Sequence, residues 1–147
     1  MFRRLIIFAV LAGATFAAAD HEADYAALKS RVASAKGGEQ DKLYAQLAMR
    51  ATEVANDHYS AGDVTKAQAA IDEVISFAEK ARDVALQSNK NLKQTEITLR
   101  ETSRRLEDVR RSLAVEDRPY VETAINRIET VRKQLLDQMF GKPKERK

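Results

Sequence analysis

The stretch that decides the fold is residues 63–118, which read DVTKAQAAIDEVISFAEKARDVALQSNKNLKQTEITLRETSRRLEDVRRSLAVEDR. These fifty-six residues include no Gly and no Pro. Small or apolar side chains recur through them at alternating steps of three and four, which places them on one face of an α-helix. We call this face the seam, and it consists of Val64, Ala67, Ile71, Val74, Ala78, Ala81, Ala85, Ser88, Leu92, Thr95, Leu99, Thr102, Leu106, Val109 and Leu113. A seam that continues over about seven heptads is typical of a coiled coil, so this helix needs partner helices along its length.

The seam crosses one polar segment, residues 88–91, which reads SNKN. Ser and Asn are weak helix formers, but three such residues cost only ~0.5 kcal/mol each relative to Ala. The seam keeps its spacing from Ala85 through Ser88 to Leu92, which favours one continuous helix over about residues 64–114. The predicted fold is all-α, an elongated antiparallel helical bundle or coiled-coil hairpin around that long central helix. The alternative is a compact four-helix bundle with a bend at residues 88–91.

Three shorter helices flank the seam. The first is expected over residues 21–35, and the second starts near Gln40 and ends at Gly62. Asp63 is expected to cap the long helix, and Asp117 the last one, which continues to Gly141. Small side chains in the first half of the seam and Leu in the second half favour two lobes within one domain over residues 20–141. The predicted lobes are a three-helix lobe over 20–88 and a two-helix hairpin over 89–141.

Residues 1–19 have the pattern of an export signal. Arg3 and Arg4 supply a positive start, an apolar run follows, and Ala17 to Ala19 form a small-residue cleavage site. We expect cleavage after Ala19 and a periplasmic or extracellular mature chain. A retained membrane anchor is the alternative, although residues 5–19 are shorter than the ~20 apolar residues that span a bilayer.

Composition restricts the chemistry. The chain has no Cys, which excludes disulfides and thiolate metal sites. Lys and Arg number 25 against 22 Asp and Glu, and the expected signal holds two of the Arg, so the mature chain is nearly neutral. This balance gives no reason to expect nucleic-acid binding. The basic tail, residues 142–147, could contact anionic lipid, but a solvated terminus is the favoured interpretation.

One junction resembles a known family. His58-Tyr59-Ser60-Ala61-Gly62-Asp63-Val64, followed by Ala67, Ala70 and Ile71, is similar to the turn and second helix of a tetratricopeptide repeat. The resemblance covers about residues 43–78. It implies a helical hairpin of the kind used for protein contacts.

No catalytic or cofactor pattern is present in the sequence. It contains no Gly-rich phosphate loop, no nucleophile elbow and no metalloprotease helix motif, so we predict a protein that is not an enzyme and needs no cofactor. His21 and His58 suggest a weak metal-binding alternative, although His58 is better explained as a helix-packing residue. The arginines of residues 100–111 each have an acid one helical turn away, which predicts a solvated, ion-paired face.

The predicted function is that of an exported, non-enzymatic helical adaptor or structural protein of the cell envelope. Its partner would be another copy of the chain or a helical protein, because Ser88, Thr95 and Thr102 leave the seam under-filled. The alternative is a periplasmic chaperone-like protein that binds clients in a groove between its first three helices. The candidate interaction surface is Leu92, Leu99, Leu106, Leu113, Tyr44, His58 and Tyr59.

Overall fold

A computed structural model describes residues 13–141 of the chain, with side chains from residue 18 onward. The basic tail and the first twelve residues of the expected signal lie outside this range. The described residues form five α-helices and one short 3-10 turn and contain no strand, which confirms the all-α prediction. The helices are α1 (Gly13–Ser34), α2 (Gly38–Ser60), α3 (Val64–Ser88), α4 (Leu92–Ser112) and α5 (Arg118–Phe140), with the 3-10 turn at Val115–Asp117.

The prediction of a continuous helix over residues 64–114 is wrong. The chain leaves the helical conformation after Ser88 and enters α4 at Leu92. Asn89 and Asn91 both adopt left-handed conformations, with φ of 53° and 56°, which most L-residues avoid but Asn tolerates. The bend at residues 88–91 is therefore the correct alternative.

Tertiary hydrogen bonds hold this bend. The side-chain amide of Asn91 donates to the carbonyl of Gly38 at 2.8 Å and to Oδ1 of Asp41 at 3.3 Å. A Cβ on Gly38 would lie only 2.9 Å from the Asn91 amide nitrogen, so a larger residue there would displace the Asn91 side chain. On the other side, Gln138 donates to the side chain of Asn89. Contacts with α2 and α5 therefore hold the turn in place. The helix propensity of residues 88–91 contains no information about these contacts.

Two helical hairpins, α2–α3 and α4–α5, pack side by side. Cross-helix contacts advance in the same direction along α2 and α4, from Asp41 with Asn91 to Glu53 with Arg105, so these helices are parallel. Helices α3 and α5 are also parallel, as shown by the contacts of Asp72 with Tyr120, Glu79 with Arg127 and Arg82 with Gln134. Helix α1 packs antiparallel on α2, with His21 near its start against Asp57 near the end of α2, and its Tyr25 and Lys29 also contact Glu73 of α3.

The seam faces the interior of this bundle. Its fully buried members include Ile71, Val74 and Ala81 of α3 and Leu99 and Leu106 of α4. They share one hydrophobic core with residues of α2 and α5, among them Leu47, Ile128 and Leu135. Residues from both expected lobes therefore contribute to the same core.

The observed helix ends agree in part with those predicted from the sequence. The carboxylate of Asp63 accepts a hydrogen bond from the backbone N–H of Lys66, so the predicted cap of α3 is confirmed. The side chain of Asp117 makes no capping bond to α5, and that prediction is wrong. Helix α1 begins at Gly13, before the expected start at residue 21, and so includes the predicted cleavage position at Ala19.

Candidate functional site

The seam leucines do not form an interaction surface. Leu99 and Leu106 have no solvent exposure and Leu92 is 9% exposed. In the folded chain Leu92, Leu99 and Leu106 pack against α2, α3 and α5, which provide the partners that the seam requires. Leu113 lies at the end of the row and is half-buried.

Tyr44 belongs to an aromatic cluster that attaches α1 to the bundle. Its ring stacks on Phe77 of α3 with centroids 6.1 Å apart, and Tyr25 of α1 meets Phe77 edge-on at 6.2 Å. The Tyr25 hydroxyl donates to Glu73, and Lys29 lies over the Tyr25 ring. Burial and the hydrogen bond to Glu73 raise the pKa of Tyr25. The role of Tyr44 in the structure is therefore helix packing.

The two histidines make reciprocal contacts across the interface of α1 and α2. His21 of α1 lies 2.7 Å from a carboxylate oxygen of Asp57, and His58 of α2 lies 3.1 Å from Glu22. The adjacent pairs fix the register of α1 on α2. Within residues 13–141, no group of three or more His, Cys, Asp or Glu side chains is placed to hold a metal ion.

Tyr59 lies near the first turn of α5. Its hydroxyl is buried without a hydrogen-bond partner in the described structure. Burial, followed by the nearby charge of Asp117, raises the pKa of this phenol. The residue is half-buried and presents little surface to a ligand.

Side chains of α1, α2 and α4 form a groove along α2. We call it the α2 groove: α2 forms its floor, α1 one wall and α4 the other. Its first section has a volume of about 510 Å³ and its second section about 390 Å³. The first section is lined by Asp24, Ala27, Leu28, Arg31, Gln46, Met49, Arg50, Glu53 and Arg105. Glu53 and Arg105 also line the second, with His21, Thr52, Asn56, Asp108, Val109 and Ser112.

Glu53 is the centre of the α2 groove. Its side chain is only 14% exposed and accepts from Arg50 at 2.7 Å and from Arg105 at 2.5 Å, one guanidinium on each carboxylate oxygen. The hydrogen bond to Glu53 is the largest cause of a raised pKa at Arg50, and the charge of Asp24 adds to it. The carboxylate therefore holds two arginines from different helices in fixed positions.

The arginine-rich segment of α4 was predicted to pair along its own helix. Within the described residues five such pairs form: Glu96 with Arg100, Glu101 with Arg104 and with Arg105, Glu107 with Arg110, and Asp108 with Arg111. The shorter contacts are between helices: Arg105 with Glu53, and Arg132 of α5 with Glu96 at 2.7 Å.

The spacing of residues along the chain does not predict the α2 groove. Its charged residues come from three helices, and Glu53 and Arg105 are 52 residues apart in the chain. One feature of the sequence could have indicated the groove: Glu53 lies beside Val54, on the otherwise apolar side of α2. An acid at such a position needs a basic partner from another element.

The fold and the groove together define a class: a small all-α bundle of two packed hairpins, with an additional helix that forms one wall of a charged surface groove. The chain matches no protein-family model, no curated protein and no solved structure. The resemblance of residues 43–78 to a tetratricopeptide repeat stays a prediction. None of the helices within residues 13–141 is long and apolar enough to cross a membrane.

Proposed function

We propose that this chain is a non-enzymatic, exported helical interaction module that binds a protein partner in the α2 groove. The observation that carries the proposal is the groove itself, in which side chains from α1, α2 and α4 converge. The Glu53 carboxylate immobilises two of its arginines. Side chains that are fixed before binding lose less conformational entropy on binding, which favours recognition.

The groove replaces the seam as the expected contact surface. Self-association through the seam would require the bundle to open, because its leucines are buried in the core. The groove is accessible on the folded chain and extends along α2 from Gln46 to Asn56. Ten residues of helix rise about 15 Å, a length suited to a short peptide or three turns of a helix.

The small number of exposed apolar side chains among the described residues favours this proposal over the chaperone-like alternative. Among the described residues, the exposed large apolar side chains are Val115, Tyr120 and Phe140. Val115 and Tyr120 lie near the start of α5, whereas Phe140 is its last residue. They form no continuous apolar surface of the kind that captures unfolded clients.

Site-specific photo-crosslinking in the producing cell tests partner binding. A photoreactive residue replaces Gln46, an exposed glutamine in the groove, and in a control chain it replaces Gln87, an exposed glutamine on α3. We expect a discrete adduct from position 46 that position 87 does not give. No adduct at position 46, or the same adducts at both positions, would count against the proposal.

Export has its own test. Cell fractionation and N-terminal sequencing of the natural chain should place it outside the cytoplasm with Asp20 as its first residue. A cytoplasmic chain that retains Met1 would show that the proposed export is wrong.

A further inference from the structure

The α2 groove carries an excess of positive charge at one end. Three arginines and two carboxylates line its first section, which leaves one net positive charge. Glu53 is already paired with Arg50 and Arg105, and Asp24 lies close enough to Arg50 to affect its pKa. Arg31 has no acidic partner among the described residues. The unbalanced charge therefore belongs to Arg31.

Arg105 adds a second guanidinium. Its Nη1 binds Glu53 and its buried Nε lies 3.8 Å from a carboxylate oxygen of Glu101, which leaves Nη2 as the donor for a ligand. A guanidinium presents donors in a planar fork that suits a carboxylate. The Glu53 contact keeps this fork in the wall of the groove.

Apolar side chains lie between these charges. Leu28 of α1 and Met49 of α2 line the same section as Arg31 and Arg105, and both are half-buried. Gln46 adds an exposed amide near them. A ligand that fits this section combines a carboxylate with an aliphatic group.

We propose that the α2 groove binds an acidic peptide segment, with a carboxylate at Arg31 and Arg105 and a neighbouring aliphatic side chain against Leu28 and Met49. The inference rests on the proposed function and adds the chemistry of the partner. Charge complementarity selects this occupant, because a basic segment would meet the unbalanced Arg31 and a purely apolar one would leave it without a partner.

NMR titration of the purified, ¹⁵N-labelled chain tests the inference. The probe is the capped peptide acetyl-Leu-Glu-Glu-Leu-amide, and the matched control peptide has Gln in place of both Glu. We expect amide shifts confined to residues 24–31, 46–56 and 101–112 with the acidic peptide, and none with the control. Binding should weaken as NaCl is raised to about 0.5 M, because salt screens exposed charges.

Two arginine variants test whether Arg31 is responsible for binding of the acidic peptide. Arg31→Gln should weaken binding of the acidic peptide about tenfold, since a hydrogen bond to a charged group is lost. Arg31 is exposed, so this substitution leaves the fold intact. The control is Arg104→Gln, whose side chain is 77% exposed on the outer face of α4, and it should bind as the natural chain does.

Three outcomes would overturn the inference. They are equal binding of both peptides, shifts outside the groove, and binding of anionic phosphatidylglycerol vesicles but not of the peptide. A position-46 adduct in the crosslinking experiment, together with no effect of the acidic peptide, would reject this ligand chemistry and leave the proposed function standing. If neither the position-46 adduct nor an effect of the acidic peptide is observed, the proposed function and this ligand chemistry are both rejected.

Discussion

Glu53 shows how one side chain can organise a surface. It is mostly shielded from water and pairs with arginines on two helices. Breaking such a shielded pair leaves the remaining charges without compensation, which costs more than the pair contributes over an apolar substitute. The groove and the stability of the bundle therefore depend on the same carboxylate.

The variant Glu53→Gln should lower the free energy of unfolding by about 1–3 kcal/mol, because two arginines then face each other without a carboxylate between them. Urea denaturation followed by circular dichroism measures the change. Glu101→Gln is the matched control: its side chain is 46% exposed, and exposed pairs contribute only about 0–1 kcal/mol. Equal urea midpoints for the two variants would show that the Glu53 pairs do not stabilise the fold.

Asp41 is a fully buried acid that lies where α2 and α4 begin. It has no solvent exposure, and its Oδ2 is buried without a partner. Burial raises the pKa of Asp41, although hydrogen bonds from the Lys42 backbone and the Asn91 side chain act in the opposite direction. An Asp with a raised pKa in the folded state destabilises that state once it must ionise.

The pH dependence of stability follows from the raised pKa of Asp41. Well below the usual carboxyl range, Asp41 is protonated in both states and its burial carries no charge penalty. As the pH rises, the unfolded chain releases its proton first, so the contribution of Asp41 to stability falls. Asp41→Asn cannot ionise, and its free energy of unfolding relative to the natural chain should therefore increase between about pH 3 and about pH 7. Urea titrations of both chains at the two pH values measure this, and a constant difference would contradict the raised pKa.

At the scale of elements, the turn between α3 and α4 decides the architecture. Three residues reverse the chain, two of them in left-handed conformations. The seam spacing continues across the turn because Ala85 and Leu92 both face the core, each from its own helix. Regular spacing across so short a turn cannot distinguish a bent chain from a continuous helix.

Asn91→Ala should destabilise the chain by about 1–3 kcal/mol, because Ala resists the left-handed conformation and the bonds to Gly38 and Asp41 are lost. Thermal and urea denaturation measure the change. Asn89→Gly is the control: it loses only the exposed 3.3 Å bond from Gln138, and Gly adopts the left-handed conformation readily, so its loss of stability should be smaller than that of Asn91→Ala. An Asn91→Ala chain as stable as the natural one would mean that the turn forms without the Asn91 contacts.

At the scale of the whole molecule, folding back at residues 89–91 converts a potential rod into a bundle. Small-angle X-ray scattering should give a radius of gyration near the roughly 14 Å of a compact domain of this size, increased somewhat by the length of the helices. A continuous helix of fifty residues would span about 75 Å and by itself give a value above about 20 Å. A measured value in that upper range would contradict the bundle.

The sequence by itself determined that the chain is helical and, outside the break at residues 89–91, which faces of the helices are buried. Spacing placed Ile71, Leu99 and Leu106 on inward faces, and the short side chain of Asp63 predicted the start of α3. These features depend on residues within a few helical turns, where periodicity and capping act. On α5, Val121, Ile128 and Leu135 recur at steps of seven and are fully buried for the same reason.

Only the tertiary structure decided how the helices meet. The break at residues 89–91 depends on the approach of Asn91 to Gly38 and Asp41, and the α2 groove depends on Arg31, Glu53 and Arg105 from three separate helices. Local spacing records the face of a helix and carries no information about which distant helix covers it. The rod and the bundle satisfy the same seam, and the contacts between helices select the bundle because they bury both halves of the seam in one core.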